Sequence, residues 1–124
     1  MKTRENLVRL KRFQVSDKRR QLAQLDLMIG EFDRVASELD AQISAEEKKA
    51  GITDTNHFAY PTFARAARTR RDNLVASQDG LRQQRIGLED QLNEAEADLA
   101  KAEALETRDL KAREPEYDAR VMIG

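Results

Sequence analysis

The chain has 124 residues, of which 36% are charged and 5% aromatic, with no cysteine or tryptophan and a net charge of −1. That length sets one domain as the expectation. Too few large apolar side chains are present to fill a thick core, and the absence of cysteine excludes disulfides and thiolate metal sites.

The N-terminal stretch "MKTRENLVRLKRF" is basic but lacks the apolar run of a signal peptide, and no run approaches the roughly 18 residues of a membrane span. These features predict a soluble, non-secreted protein. From Val8 to Ile43 the apolar residues follow a heptad: Val8, Val15, Leu22, Leu25, Ile29, Phe32, Ala36, Leu39 and Ile43. A sustained 3.5-residue period is the mark of a coiled coil. It predicts a first helix over about 3–50, passing through Gly30.

Residues 51–63, "GITDTNHFAYPTF", break the pattern. They hold three of the six aromatics, the one histidine and one of the two prolines. Gly51 is expected to end the first helix, with Asp54, Asn56 and Pro61 supplying turn and helix-start chemistry. The turn spans 51–61, and "TDTNHF" has the composition of a short helical turn. Phe58, Tyr60 and Phe63 either staple this turn or present an apolar knob to a partner.

A second heptad follows over about 62–113: Ala67, Leu74, Leu81, Leu88, Ala95 and Ala102, joined by Leu92 and Leu99. Pro115 is expected to end it near Arg113, leaving 114–124 as a flexible C-terminal tail. The fold class is all-α: two long helices in an antiparallel coiled-coil hairpin over 1–113.

Charge supports the hairpin over a parallel dimer. Residues 1–20 carry eight basic and two acidic side chains, +6; residues 21–50 carry three and seven, −4; residues 51–85 carry six and three, +3; residues 86–124 carry five and eleven, −6. Folding back lays each block beside its opposite, whereas an in-register parallel dimer opposes like charges. The chain alone is therefore expected to be a monomer. For the register, facing numbers that add to 117 place Ile43 on Leu74, Ala36 on Leu81, Leu25 on Leu92, Glu46 on Arg71 and Lys11 on Glu106. A register of 110 sets Leu39 and Leu25 against Arg71 and Arg85, which disfavours it. The register of 117 leaves Phe58 and Tyr60 at the tip, past the last seam pair.

Catalysis needs groups converging in a concave site, and a two-helix hairpin has a seam instead. His57 has only Asp54 nearby as a partner. No phosphate-binding glycine loop and no metal-ligand spacing occurs. The expectation is no enzyme, no catalytic or metal-binding residue and no cofactor. A basic helix leading into a heptad superficially resembles a basic zipper, but the acidic second half would repel phosphate, so nucleic acid is not an expected partner. Leu7, Leu10 and Phe13 form a second apolar stripe beside the seam. They either cover it locally or dock into another protein.

The stretches "RLKRFQVSDKRRQLAQLDLMIGEFDR" and "GITDTNHFAYPTFARAARTRRDNL" resemble the FliJ flagellar export proteins, above all in Arg-Leu-Lys-Arg-Phe and in the turn. The resemblance covers roughly residues 1–105. It implies a non-enzymatic antiparallel coiled coil of the bacterial flagellar type III protein export apparatus, cytoplasmic and peripheral at the inner membrane only through partners. Those implied partners are the export ATPase, the cytoplasmic domain of the export gate, and export chaperones. On this basis Arg4, Leu7, Arg9, Leu10, Arg12, Phe13 and Arg19 are expected to face the ATPase ring. Phe58, Tyr60, Phe63, Arg65 and Arg68 are expected to face the gate. The alternatives are a general coiled-coil scaffold, a homodimeric tether, or a basic-helix nucleic-acid binder.

Overall fold

A computed structural model describes the backbone of residues 2–123 and the side chains of residues 3–112. It is an all-α helical hairpin. Helix α1 spans Lys2–Ala50 and helix α2 spans Thr62–Ile123, antiparallel and packed against each other. No strand occurs among the described residues. The two helices meet the expected bounds on either side of the turn. The C-terminal end differs: the backbone stays helical past Pro115, where the sequence predicts a stop near Arg113. A proline deletes one backbone bond and disfavours helix without forbidding it. The side chains of the expected tail, 114–124, lie outside the described residues.

Gly51 ends α1 with a φ of 70°, the left-handed geometry that a residue with a Cβ rarely adopts. Its N–H and that of Ile52 both donate to the Glu47 carbonyl, at 2.9 and 3.3 Å, so two helix-end groups share one acceptor. Lys48 and Lys49 sit in the last turn, where cations complement the helix dipole. The turn contains no helix. Asp54 accepts from the Asn56 N–H through its carboxylate (3.0 Å) and from the His57 N–H through its carbonyl (3.1 Å). Tyr60 N–H then donates to the His57 carbonyl at 3.0 Å. Pro61 opens α2, its carbonyl accepting from the Arg65 N–H at 3.0 Å.

The chain divides into two compact units, residues 23–86 and residues 1–22 with 87–124, each holding part of both helices. In the unit of residues 23–86 the core is Leu39, Ile43 and Ala67, with Val35 and Leu74 packed against it. Ala64 and Tyr60 are also buried. In the terminal unit Val8, Val15 and Ala102 are buried. Most other seam leucines are half-buried, and among the described residues no large side chain is wholly enclosed. Two helices shield only one stripe of each other, so the thin core expected from composition is what forms.

The ion pairs establish the antiparallel sense within each unit. In the terminal unit Arg4 meets Asp109 (3.0 Å), Arg12 meets Glu103 (3.2 Å) and Arg19 meets Glu96 (3.2 Å). In the other unit Glu47 meets Arg68 (2.9 Å), Asp40 meets Arg71 (3.0 Å), Asp33 meets Arg82 (3.6 Å) and Asp26 meets Arg85 (2.5 Å). Basic N-terminal residues thus lie on the acidic end of α2, and acidic α1 residues on the basic start of α2.

The same pairs overturn the expected register. Ile43 packs in one cluster with Ala67, and Asp40 and Asp26 bind the seam residues Arg71 and Arg85, so the facing numbers add to 110 or 111. Extended along the seam, this register sets Val8 on Ala102 and Val15 on Ala95; in the other unit it sets Ile43 on Ala67 and Ala36 on Leu74. Facing numbers add to 110, not 117. The objection to 110 was the pair of arginines it brings to the seam. Arg71 and Arg85 meet it by laying their stems along the seam and turning their guanidinium groups out to Asp40 and Asp26. The register of 117 would instead set the flanking carboxylates Asp33 and Glu89 opposite each other, a like-charge contact.

Candidate interaction surfaces

At the turn, the Tyr60 phenol is the centre of a closed polar cluster. Its hydroxyl donates to Glu47 Oε2 at 2.9 Å and accepts from Arg68 Nε at 2.7 Å, while Arg68 Nη2 donates to the same Glu47 oxygen at 2.9 Å. The Arg65 guanidinium lies over the Tyr60 ring, 5.3 Å from its centroid. Hydrogen bonding from Arg68, then from Tyr60, holds the Glu47 carboxyl below its ordinary range. The same cluster raises the Arg68 pKa, chiefly through Tyr60 and then through Glu47.

The five residues expected at the gate-facing surface therefore separate into two groups. Phe58 is 96% exposed and Phe63 57% exposed. Tyr60 is buried at 4%, Arg68 is tied to Glu47, and Arg65 covers the Tyr60 ring. Tyr60 thus closes the end of the core and is not part of an exposed tip, a correction that follows from the register. His57 stacks on Phe58 with ring centroids 4.8 Å apart. Its Nδ1 accepts the Ala59 N–H at 3.0 Å, a turn-capping role.

In the terminal unit the expected ATPase-facing residues separate in the same way. Arg4, Arg12 and Arg19 bind acids of α2, and Leu7 is half-buried. Leu10 is 50% and Phe13 64% exposed, and Arg9 beside them is exposed. Phe13 borders an open groove of about 400 Å³ shared with Gln14, Lys18, Gln91 and Ala95. The outward face is Arg9, Leu10 and Phe13.

Sequence reasoning missed Gln78, a buried polar residue on the α2 seam. Its side-chain amide donates to the Ile29 carbonyl at 3.3 Å and to Asp33. The signal was present: Arg71, Gln78 and Arg85 recur at seven-residue spacing on the seam side of α2, and Asp26, Asp33 and Asp40 recur at the same spacing on α1. Among the described residues no group of three or more His, Cys, Asp or Glu is placed to hold a metal ion, and no helix is long and apolar enough to cross a membrane.

The fold and these surfaces define an all-α helical hairpin with ion-paired flanks. No protein-family model, curated protein or solved structure matches the chain.

Proposed function

We propose that this chain is a non-enzymatic stalk of the FliJ type in bacterial flagellar protein export. In this reading the paired helix ends dock into the ring of the export ATPase. The hairpin couples that ring to the export gate and chaperones, and the chain is cytoplasmic, reaching the inner membrane only through these partners. The observation that carries the reading is the outward Arg9, Leu10 and Phe13 face, which remains after Arg4, Lys11, Arg12 and Arg19 have found acids on α2. Exposed aromatic and aliphatic groups next to an arginine are the composition of protein-binding hot spots. The resemblance in Arg-Leu-Lys-Arg-Phe and in the turn supplies the identity of the partner.

A stiff rod inside a ring of identical subunits acts by touching them unequally, so that different subunit states are favoured in turn. The direct experiment measures binding of Arg9→Glu with Phe13→Ser to the purified export ATPase. Binding is expected to fall at least about tenfold with helicity retained, given the 2 kcal/mol or more typical of a hot spot. Unchanged binding removes this face from the assignment. Exposed Leu27 and Met28 on α1 favour a second reading, a scaffold or homodimeric tether, which light scattering separates by mass.

A further inference from the structure

Within residues 23–86, α1 carries an acid at every seventh position: Asp26, Asp33, Asp40 and Glu47. Opposite them α2 carries three polar side chains at the same spacing, Arg85, Gln78 and Arg71. Asp26 binds Arg85 at 2.5 Å, Asp33 accepts from Gln78, and Asp40 binds Arg71 at 3.0 Å. Four acids thus serve three partners. The fourth, Glu47, is occupied by Tyr60 and Arg68.

We propose that these residues form a two-position slide, with the Tyr60–Glu47–Arg68 cluster as the lock that selects the observed position. Moving α2 by seven residues, about 10.5 Å, carries Arg71 to Glu47, Gln78 to Asp40 and Arg85 to Asp33. Arg82 passes from Asp33 to Asp40. Each of the three α2 rungs keeps an acid, while Asp26 and Arg68 give up their partners and Glu89 comes opposite Asp33. Within residues 23–86 the apolar layers also re-form, with Leu74 moving from Ala36 to Ile43 and Leu81 from Ile29 to Ala36, whereas beyond them Val8 exchanges Ala102 for Asp109. The eleven residues of the turn, 51–61, have extended reach of over about 30 Å, so they span the displaced helix ends. Motion the other way fails, because the position seven before Asp26 is Arg19, a cation facing Arg85. The second position is reached only when Glu47 exchanges Tyr60 and Arg68 for Arg71. This inference is independent of the export role.

The test is disulfide formation within one chain, scored in the monomer band. Ala36→Cys with Leu74→Cys reports the observed position. Ile43→Cys with Leu74→Cys reports the second. In the observed position the latter pair is one heptad out of register, beyond the roughly 7 Å Cα separation that a disulfide bridges. With the lock intact the first pair is expected to oxidise at least about tenfold faster than the second. Adding Tyr60→Phe or Arg68→Gln, neither of which removes the acid that receives Arg71, is expected to raise the rate of the second pair at least about tenfold at unchanged helicity. An unchanged rate in both lock variants overturns the proposal. So does equal oxidation of the two pairs with the lock intact. Should Tyr60→Phe lose helicity, Arg68→Gln, which keeps the buried ring, is decisive; loss of helicity in both makes the cluster part of the fold and also overturns the proposal.

Discussion

The phenolic hydroxyl of Tyr60 donates to the Glu47 carboxylate at 2.9 Å, joining the turn to the last turn of α1. Phe58, two residues earlier on the same turn, is 96% exposed. Two aromatics in one short segment thus have opposite roles. Tyr60→Ala is expected to cost about 3–5 kcal/mol, the range for truncating a buried aromatic, whereas Phe58→Ser is expected to cost less than about 0.5 kcal/mol. Urea titration followed by circular dichroism compares the two. A similar loss for both would mean that Phe58 also contributes to the core.

Glu47 makes the acid limb of the stability profile predictable. Its carboxyl is held below the ordinary value of 4.5, first by Arg68 and then by Tyr60. A depressed folded-state pKa contributes stability that is present above the unfolded pKa and lost as pH falls through the folded one. The melting temperature is therefore expected to fall between pH 5 and the acid range, and Glu47→Gln is expected to flatten that fall. An identical acid limb in the variant would remove Glu47 from the account.

Gln78 lies on the seam and is buried at 4%. A polar residue at a seam position comes at a cost in stability. Gln78→Leu is expected to hold or raise the urea midpoint by adding apolar burial, while leaving the preference between the two Leu74 crosslinks, which the Tyr60 cluster sets, unchanged. A lower midpoint with the register unchanged would make the Gln78 contacts to Ile29 and Asp33 net stabilising.

Gly51 terminates α1 at a φ of 70°, with open space where a Cβ would stand. Packing therefore does not oppose Gly51→Ala, and backbone strain alone does. The substitution is expected to cost about 1–2 kcal/mol, measured as a shift of the thermal midpoint. An alanine as stable as glycine would mean that the turn has re-formed with another residue in the left-handed position.

Arg12 and Glu103 test how much the flanking charges contribute. Both side chains are largely exposed, 62% and 45%. A double-mutant cycle to alanine is expected to give a coupling of about 0.2–1 kcal/mol, smaller at high salt. No coupling at low salt would leave these pairs with a role in choosing the antiparallel sense but none in its stability.

The two helices, the turn at Gly51 and the antiparallel sense were legible in the sequence because each rests on local or summed information. Heptad spacing marks a helix wherever it occurs, a glycine followed by turn residues ends it, and blocks of charge repel or attract whatever their fine alignment. The candidate surfaces were legible only in part: Leu10, Phe13, Phe58 and Phe63 do face outward, but Tyr60, Arg4, Arg12, Arg19 and Arg68 are occupied within the hairpin. Register is what the sequence could not decide, for a physical reason. A pattern that repeats every seven residues matches itself after a shift of seven, so the apolar seam accepts 110 and 117 alike. The choice falls to contacts outside the repeat, those of Tyr60 folded inward onto Glu47 and Arg68. Those contacts exist only once both helices and the turn are in place.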